Sequence, residues 1–256
     1  MKTALKQRGP IPFYEDKSAQ AFRLDPYEHY EGMVLRQTYL HLADELWGSY
    51  PLQPALDWLH HHLPTAPRLQ IADIGCSVGR LIGELALARP DSDCWGIDYS
   101  YQMLRQAWRY WCSGQALALR TSDRGWPALR LQGPLLRNLD LGLAKAATLP
   151  FESNSLDLLC NSFLIDRLPE PQAAFAEWHR VLKAGGKLLI ISPLNFQQAA
   201  HWAEYHPPER LLHHLTQLGF TLLESKAHFL IKEPLDVRGN CIHWDAIGLA
   251  LQKGEA

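Results

Sequence analysis

The residues with the strongest chemical character lie in one run, IADIGCSVGR at 71–80. A short apolar segment leads directly into a turn that contains Gly75 and Gly79, and a helical pattern begins at once after it. Glycine allows a ligand to approach the backbone closely, and the first N–H groups of a helix have no partner within the helix. A turn of this kind binds nucleotide-like ligands at the carboxyl edge of a parallel sheet.

The spacing within this turn excludes two common phosphate-binding motifs. A dinucleotide fingerprint, G-x-G-x-x-G, needs glycine at positions 77 and 80, where this chain has Ser77 and Arg80. A P-loop needs Gly-Lys followed by Ser or Thr, and the sequence contains no such triplet. We therefore expect a nucleoside-like ligand whose recognition does not depend on phosphates.

Asp98 is the second candidate ligand-binding residue. It ends the apolar run DCWGID (93–98), 23 positions after Gly75. An acid at the end of this strand can accept hydrogen bonds from both hydroxyls of a ribose, and its charge disfavours a 2′-phosphate. As an alternative, Asp98 would only cap the helix that follows. Its position beside the glycine turn favours the ribose role.

Four apolar runs indicate the elements that hold these residues in place. Each run is followed by a helical pattern, and the runs are LQIADIG (69–75), DCWGID (93–98), LDLLCNSF (156–163) and GKLLIIS (186–192). Strands that alternate with helices form βαβ units. The sequence therefore predicts an α/β fold with a parallel sheet covered by helices on both faces.

Three regions lie outside this alternation. The first 66 residues are predicted to form helices, and residues 113–147 a strand-bearing insertion with a hairpin turn at 123–125. Two roles for the insertion stay open, a flap near the site and a surface elaboration without function. The apolar runs at 220–232 and 240–253 predict an antiparallel pair at one edge of the sheet.

Composition narrows the class of protein. The 256 residues include 25 Lys and Arg and 27 Asp and Glu, a formal net charge of −2, which excludes the broad positive surface of a general nucleic-acid-binding protein. No apolar run approaches the roughly 20 residues of a membrane-spanning helix, and the N-terminus lacks the apolar core of a secretory signal. Five cysteines without a CxxC pair predict neither disulfides nor a zinc site. We expect a soluble, cytoplasmic protein without a metal.

Several motifs in the same order resemble those of the class I S-adenosylmethionine-dependent methyltransferases, and the resemblance covers residues 68–253. The matching segments are the acid and glycines of the first motif (Asp73, Gly75 and Gly79), the block before the fourth strand (LPF, 149–151, and SLDL, 155–158) and the turn RVLKAGG (180–186). Ser77 stands at the middle glycine of the family motif, and Lys145-Ala146 stands where the family usually has an acidic residue.

The resemblance implies a Rossmann-like, doubly wound, mostly parallel sheet of seven strands with an antiparallel C-terminal edge strand. A helical cap or lid (1–66) would precede the methyltransferase domain (67–256), and S-adenosylmethionine would be the cofactor. The implied cofactor-binding residues are Asp73, Gly75, Cys76, Ser77 and Gly79 in the first motif, Asp98 at the ribose, Tyr99, Met103 and the Ala146 backbone near the adenine, and Asn161 and Phe163 at the methyl group.

A narrower resemblance points to one acceptor. The segments GIDYS (96–100), LIDRL (164–168) and SPLNF (192–196) resemble the methyltransferase domain of ovothiol biosynthesis, and the form GC-x-VGR at 75–80 is also similar. That domain methylates an imidazole nitrogen of 5-thiohistidine and is fused to a sulfoxide synthase in many enzymes. A separate synthase acting upstream is the partner that this resemblance implies.

Asp166 and Arg167 follow the fourth strand, where the acceptor is expected to bind. Asp166 is predicted to orient or deprotonate the acceptor ring, and Arg167 to bind a carboxylate, for which its fork geometry is suited. As an alternative, the pair only fastens the turn between strand and helix.

The leading hypothesis is a methyltransferase for a small molecule, without a membrane or nucleic-acid partner. Two alternatives stay open. One is a module that binds S-adenosylmethionine without transferring its methyl group. The other is an RNA methyltransferase that uses the arginines of the insertion.

Overall fold

The computed structural model describes residues 1–255, in which strands and helices alternate along most of the chain. The strands are β1 (Lys6–Arg8), β2 (Ile11–Phe13), β3 (Gln70–Ile74), β4 (Asp93–Asp98), β5 (Leu117–Leu119), β6 (Leu129–Leu131), β7 (Leu139–Leu143), β8 (Leu156–Ser162), β9 (Leu182–Ser192), β10 (Phe220–Pro234) and β11 (Cys241–Lys253). The helices are α1 (Ala19–Leu24), α2 (Leu35–Leu42), α3 (Asp44–Trp47), α4 (Gln53–His61), α5 (Arg80–Ala88), α6 (Tyr101–Trp111), α7 (Pro171–Val181), α8 (Ala199–Tyr205) and α9 (Pro208–Gln217). Shorter helical turns lie at Pro26–Glu28, Tyr30–Val34 and Ile165–Arg167. No helix within residues 1–255 combines the length and the apolar composition needed to cross a membrane.

The main sheet has the strand order β1-β2-β7-β4-β3-β8-β9-β11-β10. Every neighbouring pair from β2 to β9 in this order runs parallel. The prediction of a mostly parallel α/β sheet is therefore confirmed. The predicted number of seven strands is wrong, because the N-terminal hairpin of β1 and β2 extends the sheet beyond β7.

The sequence predicted that the C-terminal strand lies at the edge of the sheet, and this prediction is wrong. β11 runs antiparallel between β9 and β10, and β10 is the edge strand. Consecutive residues Leu249, Ala250 and Leu251 of β11 are all buried, as expected of a strand covered on both faces. β10 carries exposed apolar residues, among them Leu230. The antiparallel pairing of these two strands is confirmed.

Two apolar clusters cover the two faces of the sheet. One includes Leu158 of β8 together with residues of α5, α6 and the N-terminal region. The other includes Leu159 of the same strand together with residues of α7 and α9. Successive side chains of a strand point to opposite faces, so neighbouring leucines join different clusters. This arrangement holds the carboxyl ends of the parallel strands together at one edge.

The first 66 residues are not purely helical. Besides α1–α4 they contain the hairpin β1–β2, in which Phe13 pairs with Leu143 of β7. Residues of α2 and α4 belong to the same apolar cluster as the sheet, and Arg80 of α5 donates to both carboxylate oxygens of Asp44 at 2.7 and 2.8 Å. The division of the chain into a cap and a core domain stays a prediction.

The insertion predicted at 113–147 is shorter than expected. Its first part holds the separate hairpin of β5 and β6, but its last part is β7, which pairs with β4 in the main sheet. β7 was not predicted from the sequence because Asp140 and Gly142 interrupt its apolar run. The hairpin packs on α2, where Tyr39 Oη lies 2.6 Å from the carbonyl oxygen of Arg120.

The contact between α5 and α6 gives a test of the fold. A Cβ atom at Gly83 would lie 2.4 Å from the indole ring of Trp111, so we expect Gly83→Ala to destabilise the protein by about 1–3 kcal/mol despite the higher helix propensity of alanine. Urea denaturation measures the free energy of unfolding. Leu87→Ala, at an exposed position of the same helix, is the control and should change stability by less than about 0.5 kcal/mol. An equal effect of both variants would contradict the packing.

Candidate functional site

A cavity of about 770 Å³ opens at the carboxyl ends of β3, β4 and β8. Open α/β sheets bind their ligands at this edge. The predicted site residues that line the cavity are Asp73, Gly75, Cys76, Ser77, Asp98, Tyr99, Met103, Ala146, Phe163 and Arg167. The parallel topology thus brings together residues that lie far apart in the sequence.

The glycine turn forms a tight bend at the end of β3. Gly75 has φ of 77°, and a Cβ atom there would lie 2.9 Å from the Leu164 side chain. Ser77 adopts φ of 52°, also in the left-handed region. Gly79 does not line the cavity. It is the N-cap residue immediately before α5 and has φ of 77°. Because it has no side chain, α5 can approach Ala107 of α6 closely. The predicted role of Gly79 is therefore indirect.

Asp98 joins this turn to the start of α6. One carboxylate oxygen accepts a hydrogen bond from the Ser77 N–H at 2.8 Å, and the other accepts one from the Ser100 N–H at 2.8 Å. Burial raises the pKa of Asp98 to about 6, and these two hydrogen bonds oppose the rise. A carboxylate has about four acceptor positions, so two are left for ligand hydroxyls. The N-cap of α6 is Ser100, whose hydroxyl accepts the Met103 N–H at 3.1 Å, so Asp98 supports the start of the helix without capping it.

Asp73 and Cys76 lie beside Asp98 in the cavity. Burial, together with the charge of Asp98, raises the pKa of Asp73 to about 7. Burial raises the pKa of the Cys76 thiol well above its ordinary value, so the thiol stays neutral and acts as a small side chain in the turn. Two acids in one wall of the cavity favour a ligand that carries positive charge nearby.

The N-terminal region covers this wall through a network that the sequence analysis missed. Lys17 has a fully buried side chain and donates to Asp25 at 2.6 Å, to Glu28 at 2.8 Å and to the Tyr99 carbonyl oxygen at 2.7 Å. Glu28 also accepts the Tyr101 N–H at the start of α6. Acidic groups are favourable at this helix end. No local motif marks these residues; only the fold brings them together.

Two further predicted residues lie outside the cavity lining. Asn161 is fully buried, and neither atom of its amide has a hydrogen-bond partner among the described residues. Since side chains alternate along β8, the next residue, Ser162, lines the cavity instead. Asp166 is also buried; within residues 1–255 its carboxylate has no hydrogen-bond partner, and it lies 3.7 Å from Arg167 Nε. Burial raises the pKa of Asp166, and the Arg167 charge opposes the rise.

A second wall of the cavity comes from α2 and the β10–β11 hairpin. Glu233 is 8% exposed and accepts hydrogen bonds from Arg36 Nη2 and from Trp244 Nε1, the latter at 2.7 Å. The Trp244 ring packs edge-on against Phe163, with 5.7 Å between the ring centroids. All of these residues line the cavity together with Arg167. Within residues 1–255, no group of three or more His, Cys, Asp or Glu side chains is placed to hold a metal ion.

Comparison with known families indicates the class of domain. Residues 72–190, which carry the glycine turn and Asp98, match the model of a family described as a methyltransferase domain. This segment therefore resembles a methyltransferase domain. Its cofactor is S-adenosylmethionine, and the cavity at its strand ends is the expected place for it.

The methyltransferase domain is similar to enzymes with different acceptors. Trans-aconitate 2-methyltransferase of Deinococcus radiodurans is 28% identical over 148 residues, 58% of this chain and 46% of that protein. Malonyl-[acyl-carrier protein] O-methyltransferase of Laribacter hongkongensis is 30% identical over 137 residues, 54% of this chain and 40% of that protein. The matched stretches cover between 21% and 46% of the curated relatives' own length.

A solved structure supports the fold. An S-adenosylmethionine-dependent methyltransferase from Methanosarcina mazei aligns with a TM-score of 0.51 and 19% identity, covering 78% of this chain and 98% of that one. The cavity also fits the cofactor of the methyltransferase domain. The bend at Gly75 leaves room for the methionine part, Asp98 has free acceptor positions for a ribose, and the two acids suit a positively charged sulfur.

The titration of Asp98 gives a test of the cofactor site. Ribose hydroxyls donate to the ionised carboxylate, so the affinity for S-adenosylhomocysteine should rise as the pH increases through about 6 and level off above it. We expect Asp98→Asn to reduce the affinity roughly 10- to 100-fold and to remove this part of the pH dependence. Calorimetric titration at several pH values measures both. Asp140→Asn, on β7 outside the cavity lining, is the control; the same loss in both variants would contradict the role of Asp98.

Proposed function

We propose that the chain is an active methyltransferase that transfers a methyl group from S-adenosylmethionine to a small molecule bound in the same cavity. The observation that carries this proposal is the composition of the two walls. One wall holds the glycine turn and Asp98, and the other holds Phe163, Trp244 and Arg167. A single cavity therefore offers room for both a cofactor and an acceptor.

The finer proposal is an imidazole acceptor of the 5-thiohistidine type. It is supported by the resemblance of segments 96–100, 164–168 and 192–196 to the ovothiol-pathway domain. The aromatic pair of Phe163 and Trp244 suits a planar ring. Arg167 is then the group that binds the acceptor carboxylate.

Positioning is the main task that this site performs in the proposed reaction. The cofactor supplies a methyl group activated by its positively charged sulfur. Holding the acceptor nitrogen in line with that group can lower the barrier by roughly 7–11 kcal/mol. An imidazole with its ordinary pKa of about 6.5 is mostly neutral at pH 7, so its nitrogen can attack without prior loss of a proton. The ring proton is then released to solvent after the N–C bond has formed.

The placement of Asp166 modifies its predicted role. Its buried carboxylate lies outside the cavity lining and beside Arg167, so we assign it to positioning Arg167 rather than to deprotonating the acceptor. Two arginines of the insertion are engaged within the chain: Arg120 pairs with Glu31, and Arg124 Nη1 donates to the Leu235 carbonyl oxygen at 3.3 Å. These contacts favour a small acceptor over RNA.

Product formation tests the proposed function directly. We expect incubation with S-adenosylmethionine and 5-thiohistidine to give S-adenosylhomocysteine and an acceptor heavier by one methyl group, measured by mass spectrometry. A parallel reaction contains histidine as the acceptor. Tight binding of S-adenosylmethionine without product from a broad panel of small acceptors would favour the alternative of a silent binding module.

Substitutions of Asp166 and Arg167, in the helical turn after β8, are expected to affect the steady-state kinetics differently. Arg167→Gln should raise the KM for the acceptor about tenfold or more, with little effect on the affinity for S-adenosylmethionine, because it removes a charge in the cavity. Asp166→Asn should leave kcat within a few-fold, because the carboxylate does not contact the acceptor. Steady-state kinetics of both variants measures this. A collapse of kcat in Asp166→Asn with normal folding would restore its role as a base.

A further inference from the structure

Glu233 is a buried acid in the cavity that neither the cofactor site nor the folding of the hairpin explains. It lies near the end of β10, outside the matched segment 72–190, and its side chain faces the cavity. Its ion pair with Arg36 joins β10 to α2. Removing two charges from water costs about as much as their attraction returns, so such a pair contributes little to stability.

The carboxylate of Glu233 is held by two hydrogen bonds and has further acceptor positions that are not used by the residues that the structure describes. Arg36 Nη2 donates to Oε1, and Trp244 Nε1 donates to Oε2. Each oxygen can accept one more hydrogen bond. Because Glu233 lines the cavity, these positions are available to a bound molecule. The two donors hold the carboxylate in place.

The surroundings of Glu233 suit a cationic group. The ring of Trp244 lies beside the carboxylate, and an aromatic ring face attracts an ammonium ion. Trp244 contacts Phe163, which lies four residues before Arg167 on the loop after β8. A carboxylate and a guanidinium therefore line the same cavity. This pair of opposite charges matches the two charges of an amino acid.

We propose that Glu233 binds the primary ammonium group of an amino-acid acceptor, and that Arg36 and Trp244 position its carboxylate for this contact. The inference rests on the proposed function and adds the residue that recognises the ammonium group of its acceptor. Arg167 binds the carboxylate of the same molecule. Specificity for the acceptor is then held partly by residues outside the matched methyltransferase segment.

Ligands that lack one charge at a time test this proposal. The full chain, loaded with S-adenosylhomocysteine, is titrated by calorimetry with histidine, imidazolepropionate, which lacks the ammonium group, and histamine, which lacks the carboxylate. The 5-thio counterparts form a second set. In at least one set, we expect the unmodified protein to bind the amino acid about 10- to 100-fold more tightly than the ammonium-free analogue.

Variants assign this preference to one side chain. Glu233→Gln should abolish the preference for the ammonium group and keep the preference for the carboxylate, whereas Arg167→Gln should do the reverse. Glu224→Gln is the matched control: Glu224 lies on the same strand and accepts the Trp58 indole N–H at 2.9 Å, but it does not line the cavity. Glu233→Asp retains the charge and provides a second variant if Glu233→Gln unfolds.

The outcomes separate this inference from the proposed function. Equal binding of the amino acid and its ammonium-free analogue, no binding in either set, or a preference that survives Glu233→Gln would each overturn the role of Glu233. The proposed function fails on a different readout. In that case an amino acid binds with the ammonium preference, yet no methylated product forms with S-adenosylmethionine.

Discussion

The site depends on one partly buried carboxylate, that of Asp98. Asp98 accepts a backbone hydrogen bond from each of two turns, at Ser77 and at Ser100, and so fixes the glycine turn relative to the start of α6. An unpaired ionised acid at this depth would be costly, and the two backbone donors reduce that cost. The same carboxylate has acceptor positions left for a ribose. The Asp98 side chain therefore both fixes the local fold and provides acceptor positions for a ligand.

Charge is divided within the cavity in a way that suits methyl transfer. Asp73 and Asp98 lie beside the glycine turn, where a positively charged sulfur would be bound, and Arg36, Arg167 and Glu233 line the part of the cavity that we propose for the acceptor. Electrostatic interactions are stronger in such an enclosed site than in water. The first wall belongs to the methyltransferase segment, whereas Arg36 and Glu233 come from the flanking regions. In the proposed function, a cofactor site within the methyltransferase segment is thus combined with acceptor contacts from the flanking regions.

Local motifs predicted which residues of the glycine turn and of the β4 end lie together at the cavity, because glycine spacing and a strand-ending acid are set by short-range geometry. The sequence missed β7, whose apolar pattern is broken by Asp140, and placed Asn161 in the cavity where the alternation of β8 puts Ser162. It also missed the contacts of Lys17 and Glu233, which join residues 82 and 197 positions apart. Long-range partners of this kind have no local signal. Only the fold reveals them.

A crystal structure of the protein with S-adenosylhomocysteine would show directly whether Asp98 binds the ribose. We expect the ribose hydroxyls to lie within hydrogen-bond distance of the Asp98 carboxylate and the homocysteine part to follow the bend at Gly75. The sulfur should then face Phe163. A ligand bound elsewhere on the chain, or a ribose without contact to Asp98, would contradict this expectation.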